Sequence, residues 1–333
     1  MSTSLGVMLL GTGSSLPARV LRNCEFPASL DTSDEWIRSR TGIQERRIAS
    51  ADDTSGTLGL EAARLALEAG RLTPADVDMI ICATVTPDML VPSTACLIQA
   101  GLGCRPIPAF DLNAACTGFL YSLAVAAQFI RTGSCRHILV IGSETLTRVV
   151  DFSDRSMCVL FGDGAGAVLL GVAEGPMRGQ HSFRLHADGN RGDLIRLNGA
   201  RLRVPTSTSA DPRLTDQFDF LRMNGREVFK FAVRTIIDLI GESLAECHLT
   251  PADIDLVIPH QVNQRIIDAA FADLNFPTDK LMVNLDRYGN TSAASIPIAL
   301  DEAVRTGRIG AGDRVLLLAF GGGLTWAGGV WTL

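Results

Sequence analysis

The chain has 333 residues, 47% of them hydrophobic and 20% charged, and a net charge of −6. At roughly 100–200 residues per domain this is room for about two domains or one large duplicated fold, and the apolar share excludes a disordered chain or a fibrous repeat. The acidic balance argues against a nucleic-acid binder.

Residues 1–18 lack the basic start and long apolar stretch of a signal peptide, so a cytoplasmic, reducing compartment is expected. Eight cysteines form no C-x-x-C pair and no zinc-spaced cluster with histidine, so no metal site is expected and most read as small buried hydrophobes. The first helical stretch is GLEAARLALEAG at 59–70. It is followed at 72–81 by LTPADVDMII, a turn leading into a short, fully apolar strand. Residues 108–127, PAFDLNAACTGFLYSLAVAA, read as strand, tight turn and helix, and HILVIG at 137–142 as another buried strand. GDGAGAVLL at 162–170 is not a dinucleotide fingerprint, because no suitably spaced helix follows it; a strand with close backbone packing fits better.

Segment 176–224 is polar, Arg-rich and turn-rich, and reads as an inserted loop or cap between a first half (1–175) and a second (225–333). The second half opens with a helical stretch at 233–247 and repeats the turn and strand as LTPADIDLVI at 249–258. Residues 281–303 again read as strand, turn and helix. Val315–Leu333 is uncharged but holds five glycines, which suits two strands around a Gly loop better than a membrane-spanning helix.

The two LTPAD segments are 177 residues apart, and the same offset pairs HILVIG with RVLLLA at 314–319. Tandem βαβ-type halves predict helices layered on and between mostly parallel sheets. Cys116, His260 and Asn290 then all lie at or near the carboxyl ends of strands, the edge where open α/β sheets bind ligands. Cys116, among small neighbours at a helix start, suits a nucleophile whose thiolate the unpaired helix N–H groups stabilise. Taken singly, it is as well explained as an ordinary buried cysteine, His260 as a core histidine and Asn290 as a helix cap. Together, a soft nucleophile and two neutral hydrogen-bond donors suit thioester chemistry. The glycines of AFGGGLTW at 319–326 permit backbone N–H groups to point into a site as an oxyanion hole requires, or simply make a tight bend.

The motifs TSDEWIRSRTGIQERRIA (32–49), NAACTGF (113–119), FGDGAGA (161–167), MNGREVFKFAV (223–233), PHQVNQRI (259–266), GNTSAAS (289–295) and AFGGGLTW occur in order along nearly the whole chain. With them the sequence resembles the beta-ketoacyl-acyl-carrier-protein synthase III family of the thiolase superfamily. The resemblance implies a five-layered αβαβα thiolase-like fold from two duplicated halves, and a homodimer. It implies condensation of an acyl-CoA starter with malonyl-acyl carrier protein, with loss of carbon dioxide, to initiate type II fatty-acid synthesis, and no cofactor beyond coenzyme A as part of a substrate. By the same resemblance Cys116 is the acylated nucleophile, His260 and Asn290 promote decarboxylation, and the N–H groups of Cys116 and Gly322 form the oxyanion hole. Trp36, Arg40, Arg155 and Asn263 match coenzyme A contacts, and Lys230, Gln261 and Arg265 match carrier-docking positions. Ala272 and Asp273 stand where the family often has basic residues. Val91 stands where some acetyl-specific members carry a Phe that closes the partner's acyl pocket, so longer or bulkier starters are expected. Rival expectations are a secondary-pathway acyltransferase or condensing enzyme of the same fold, and a non-catalytic binding subunit. The second rival is weakened by the presence of all three polar residues. A nicotinamide oxidoreductase is weaker still, for want of the fingerprint.

Overall fold

The computed structural model describes residues 5–173, 179–197, 220–272, 274 and 276–333. The first half supplies β1 (Gly6–Ser15), the hairpin strands β2 (Arg19–Arg22) and β3 (Glu45–Ile48) around helix α1 (Asp34–Thr41), α2 (Ser55–Ala69), β4 (Met79–Ala83), α3 (Thr94–Leu102), β5 (Ala109–Leu112), α4 (Gly118–Arg131), β6 (Ile138–Thr145) and β7 (Asp163–Ala173). The second supplies β8 (Gly179–Ala187), the short pair β9 (Ile195–Arg196) and β10 (Arg222–Met223), α5 (Gly225–Glu246), β11 (Leu256–Pro259), α6 (Gln264–Ala272), α7 (Ser295–Arg305), β12 (Arg314–Gly321) and β13 (Thr325–Thr332).

The main sheets run β1-β7-β6-β4-β5 and β8-β13-β12-β11, the same order in both halves. An isolated parallel bridge from Val257 to Leu281 stands where β5 stands in the first sheet. The duplication reaches the backbone. Left-handed conformations recur at Arg71 and His248 (φ 54° each) and at Ala115 and Ser292 (φ 47° and 48°), each pair 177 residues apart.

Successive side chains of a strand point to opposite faces, and here both faces are buried. Met79 and Ile81 of β4 join a core shared with α4, α7 and the other sheet, whereas Ile80 and Cys82 join the core under α2 and α3. In β12, Val315, Leu317 and Ala319 face the shared core, and Leu316, Leu318 and Phe320 face α5 and α6. Three cores between five layers result: helices α2 and α3, a sheet, helices α4 and α7, a sheet, helices α5 and α6. This is the αβαβα thiolase-like fold.

Two expectations change. The sheets are mixed rather than mostly parallel: β4 pairs in parallel with β5 and β6, and β11 with β12, but β7 and β13 pair antiparallel with both their neighbours. Each half therefore ends in a hairpin-like return, with the Gly-rich run 321–323 turning β12 into β13. Segment 176–224 is not wholly an insertion. Its residues 179–187 form β8, the edge strand of the second sheet; residues 176–178 and 198–219 lie outside the described residues. Among the described residues no helix is long and apolar enough to cross a membrane.

Candidate active site

Cys116 lies in a 3-10 turn, Ala115–Thr117, between β5 and the start of α4. His260 follows the last residue of β11. Asn290 precedes a matching turn, Ser292–Ala294, that leads into α7. It does not open a helix as Cys116 nearly does, and residues 281–284 form one bridge rather than a strand. All three line a single cavity of about 410 Å³ with Gly321, Gly322 and Gly323, walled by apolar side chains such as Leu146, Phe161, Ile195 and Leu221.

Neighbours fix each polar group. The Asn290 Oδ1 accepts from the Ser292 N–H at 2.8 Å, which leaves its amide nitrogen for the cavity. The Asn290 N–H donates to Leu160 O and its carbonyl accepts from Gly162 N–H, so the residue is stitched to the loop before β7. His260 Nδ1 lies 2.7 Å from the Ser295 hydroxyl, its ring edge packs on Phe320, and Nε2 is left for a ligand. Complete burial pushes His260 down to about 3, so it is neutral at physiological pH. The Cys116 expectation is corrected at one point. The thiol does sit at a helix start, but burial pushes it up to about 11, and the buried Glu144 raises it further. Desolvation outweighs the helix N–H groups, and the resting residue is a thiol.

Cys116 approaches the second half so closely that a Cβ on Gly321 would stand 2.9 Å from both its backbone nitrogen and its Cβ. Thr325 Oγ1 donates to Gly322 O at 2.9 Å and accepts from Thr117 Oγ1 at 2.8 Å, tying the glycine loop to the Cys116 turn. Sequence reasoning passed over Ser292, Ser295 and Glu144, and took Gly321 only as one of three loop glycines. A glutamate ending the apolar run ILVIGSE, and a serine at the 177-residue counterpart of Ala115, are the signals that could have found two of them.

On the outer surface, Arg40 and Arg155 both stack on Trp36, with guanidinium carbons 5.9 and 5.2 Å from ring centroids, and Arg155 also pairs with Asp31. Trp36 packs on the apolar cluster that includes Leu146, Phe161 and Leu221 of the cavity wall. The Asn263 side chain donates to Arg40 O at 3.2 Å and caps the start of α6 through the Arg265 N–H. Lys230, paired with Glu227, and Arg265 are exposed, as is Ala272; Asp273 lies outside the described residues. Gln261 is not at the surface. It is 1% exposed; its amide donates to Pro259 O and Met282 O and accepts from the Asn284 and Leu285 N–H groups. It pins the His260 strand to the segment before Asn290, and the carrier-docking expectation for it is withdrawn. Val91 is 84% exposed, beside Leu90 and Met89, and does not line this chain's own cavity.

A five-layered duplicated fold with a cysteine, a histidine and an asparagine around one cavity defines a thiolase-fold condensing enzyme. The family signature for the 3-oxoacyl-[acyl-carrier-protein (ACP)] synthase III C terminal matches residues 244–333, and that for 3-oxoacyl-[acyl-carrier-protein (ACP)] synthase III matches residues 110–189. The chain is 49% identical over 330 residues to the beta-ketoacyl-[acyl-carrier-protein] synthase III of Caldanaerobacter subterraneus, covering 99% of this chain and 98% of that one. The crystal structure of 3-oxoacyl-[acyl-carrier-protein] synthase III from Aquifex aeolicus superposes with a TM-score of 0.90 at 44% identity, covering 98% of this chain and 100% of that one. The priming beta-ketosynthase from the R1128 polyketide biosynthetic pathway gives a TM-score of 0.90 at 36% identity, covering 100% and 98%. The chain belongs to the beta-ketoacyl-[acyl-carrier-protein] synthase III family and is an acyltransferase.

Proposed function

We propose that this enzyme runs the two half-reactions of starter condensation in the one cavity that holds Cys116, His260 and Asn290. The observation that carries the reading is their convergence, with the inner side of each polar group already tied by a neighbour so that the other side faces the cavity. In the first half-reaction Cys116 Sγ attacks the thioester of an acyl-CoA. The developing oxyanion is met by the N–H groups of Cys116 and Gly322, and coenzyme A leaves. In the second, malonyl-acyl carrier protein enters and loses carbon dioxide. Neutral His260, through Nε2–H, and the Asn290 amide stabilise the enolate, which attacks the acyl-cysteine to give the beta-ketoacyl carrier and free Cys116.

The remaining assignments follow from chemistry and placement. Trp36 between two guanidinium groups suits an adenine with phosphates, and Asn263 lies beside it for the pantetheine arm. Exposed Lys230 and Arg265 suit the acidic carrier protein, with Ala272 adding no charge. The enzyme works as a homodimer in which Val91 of one protomer borders the acyl pocket of its partner and admits starters longer than acetyl.

The test is intact mass of the full chain after mixing with acetyl-CoA and longer acyl-CoAs, then with malonyl-acyl carrier protein. A thioester adduct that Cys116→Ser abolishes, and that malonyl carrier discharges with release of carbon dioxide, is expected. An adduct that persists in Cys116→Ser, or that malonyl carrier leaves in place, would overturn the reading.

A further inference from the structure

Arg46 of β3 holds a charge that neither half-reaction uses. It has no exposed surface, and among the described residues no carboxylate pairs with it. Burial pushes it down to about 10, so it stays charged at neutral pH. A buried charge without a counter-ion is costly, and this one directs its donors to oxygens far apart in sequence. One guanidinium nitrogen, Nη1, donates to Leu21 O at 3.1 Å and to Asn23 Oδ1 at 2.8 Å. The other, Nη2, donates to Val159 O at 2.8 Å. The guanidinium carbon lies 5.1 Å from the centroid of the Phe26 ring.

Val159 opens the loop that holds Asn290. Leu160 O accepts from the Asn290 N–H at 2.8 Å, the Gly162 N–H donates to Asn290 O at 3.1 Å, and Phe161 between them forms a parallel bridge with Asn290. The three backbones meet without side chains between them. A Cβ on Gly162 would stand 2.2 Å from Tyr288 O and 3.1 Å from Arg46 Cβ, and one on Gly289 would stand 2.8 Å from Leu160 O and 3.4 Å from Arg46 Cβ. Just beyond Asn290 the turn rests on β6, where a Cβ on Gly142 would stand 2.3 Å from Ala293 O. The Asn290 segment is therefore held by β6 at one contact and by the loop bonded to Arg46 at the other. The network also reaches α1, because Asn23 Nδ2 donates to Asp34 Oδ1 at 2.9 Å and to Ile43 O at 2.7 Å.

We propose that Arg46 is a positioning residue for Asn290. Through Val159 O it fixes the loop whose Leu160 carbonyl and Gly162 N–H hold the Asn290 backbone, and so it sets where the Asn290 amide meets the malonyl enolate. Cys116 sits on a different turn, so the half-reaction that depends on Arg46 is decarboxylation with condensation, not acylation. This inference rests on Asn290 acting in that half-reaction, and the variants below separate the two.

The wild-type chain, Arg46→Lys, Asn290→Ala and the double variant are each acylated with saturating acyl-CoA and then mixed with malonyl-acyl carrier protein. Intact mass follows acylation and discharge in single turnovers. Saturation removes any change in acyl-CoA binding that reaches Trp36 and Arg40 through Asn23 and Asp34. Arg46→Lys keeps the charge but replaces a two-armed fork by one nitrogen. Its acylation rate should stay close to wild type. Its discharge should slow on the order of 10- to 100-fold, since a misplacement of about 1 Å can cost about 100-fold. A residue that acts through Asn290 has nothing left to position once the amide is gone. In the Asn290→Ala chain, Arg46→Lys should therefore cause no further loss of discharge, whereas a general loosening of the fold would add its full effect.

Should Arg46→Lys fail to fold because its buried ammonium lacks partners, Arg46→Gln, which carries no charge, takes its place with the same expectations. Discharge at the wild-type rate, equal slowing of both half-reactions, or a loss that adds in full to that of Asn290→Ala overturns the positioning role and leaves the assignment of Asn290 standing. Discharge at the wild-type rate in Asn290→Ala removes that assignment and this inference with it.

Discussion

At the residue scale, the site depends on polar groups kept in one ionic form. His260 has its value lowered from the ordinary 6.5 to about 3 by burial alone, so from about pH 5 to 8, where a free histidine would titrate, it stays neutral. Decarboxylation of malonyl carrier by enzyme already acylated should therefore show no histidine limb across that range. A limb near 6.5 in single-turnover carbon dioxide release would show that His260 is solvated when it works. Ser295 orients the ring through its 2.7 Å contact with Nδ1; in the proposed mechanism the serine donates there and Nε2 carries the hydrogen. Ser295→Ala removes that partner and leaves a buried nitrogen unsatisfied, a loss of about 1–3 kcal/mol. Condensation should slow, measured as discharge of the acyl-enzyme, while acylation by acyl-CoA proceeds. His260→Ala should do the same more severely, and a variant that stops acylation alone would show that His260 serves the first half-reaction instead.

At the element scale, two short turns before α4 and α7 do most of the positioning, and both need bare backbone opposite them. Gly321→Ala would drive a methyl to 2.9 Å from the backbone nitrogen and Cβ of Cys116, neither of which is a flexible chain end. Overpacking of this kind costs about 1–3 kcal/mol, and the displaced residue is the proposed nucleophile. Acylation should fall well beyond what the drop in melting temperature accounts for; a normal acylation rate with a normal melting curve would show that the β12 end can retreat. Sequence revealed these elements unevenly. The strands announced themselves as fully apolar runs and, with the helices before them, repeat 177 residues apart, and Cys116 and His260 stood near strand ends. Gly321 and Ser292 did not, because close approach between distant segments leaves no periodic mark. Gln261 misled for a related reason: a polar residue between His260 and Asn263 looks exposed until the segment at 282–285 is seen to use all its hydrogen bonds. Arg46 is similar. Among the described residues it is buried with no carboxylate partner, and it donates to Leu21 O, Asn23 Oδ1 and Val159 O, next to the Leu160 carbonyl that anchors Asn290.

At the scale of the whole molecule, the duplication brings the two turns together across one shared core, the first half giving Cys116 and the second His260 and Asn290. The acyl pocket raises the one question a single chain does not contain. Met89, Leu90 and Val91 are 46, 74 and 84% exposed at the tip of the loop between β4 and α3. Burying three apolar side chains is favourable by about 25 cal/mol per Å², which the proposed partner protomer would supply. If Val91 borders the partner's pocket, its size sets the depth available to the starter. Val91→Phe adds a ring there and should lower the ratio of longer-chain to acetyl acylation. In that arrangement each pocket is bordered by the other chain, and the effect must travel in trans. In a heterodimer of Val91→Phe and Cys116→Ser chains, the only working cysteine sits in the Val91→Phe chain and faces the other protomer's unaltered Val91. That heterodimer should keep the wild-type chain-length profile. A profile that follows the mutant chain's own cysteine would place Val91 in its own protomer's pocket and defeat the shared-pocket dimer.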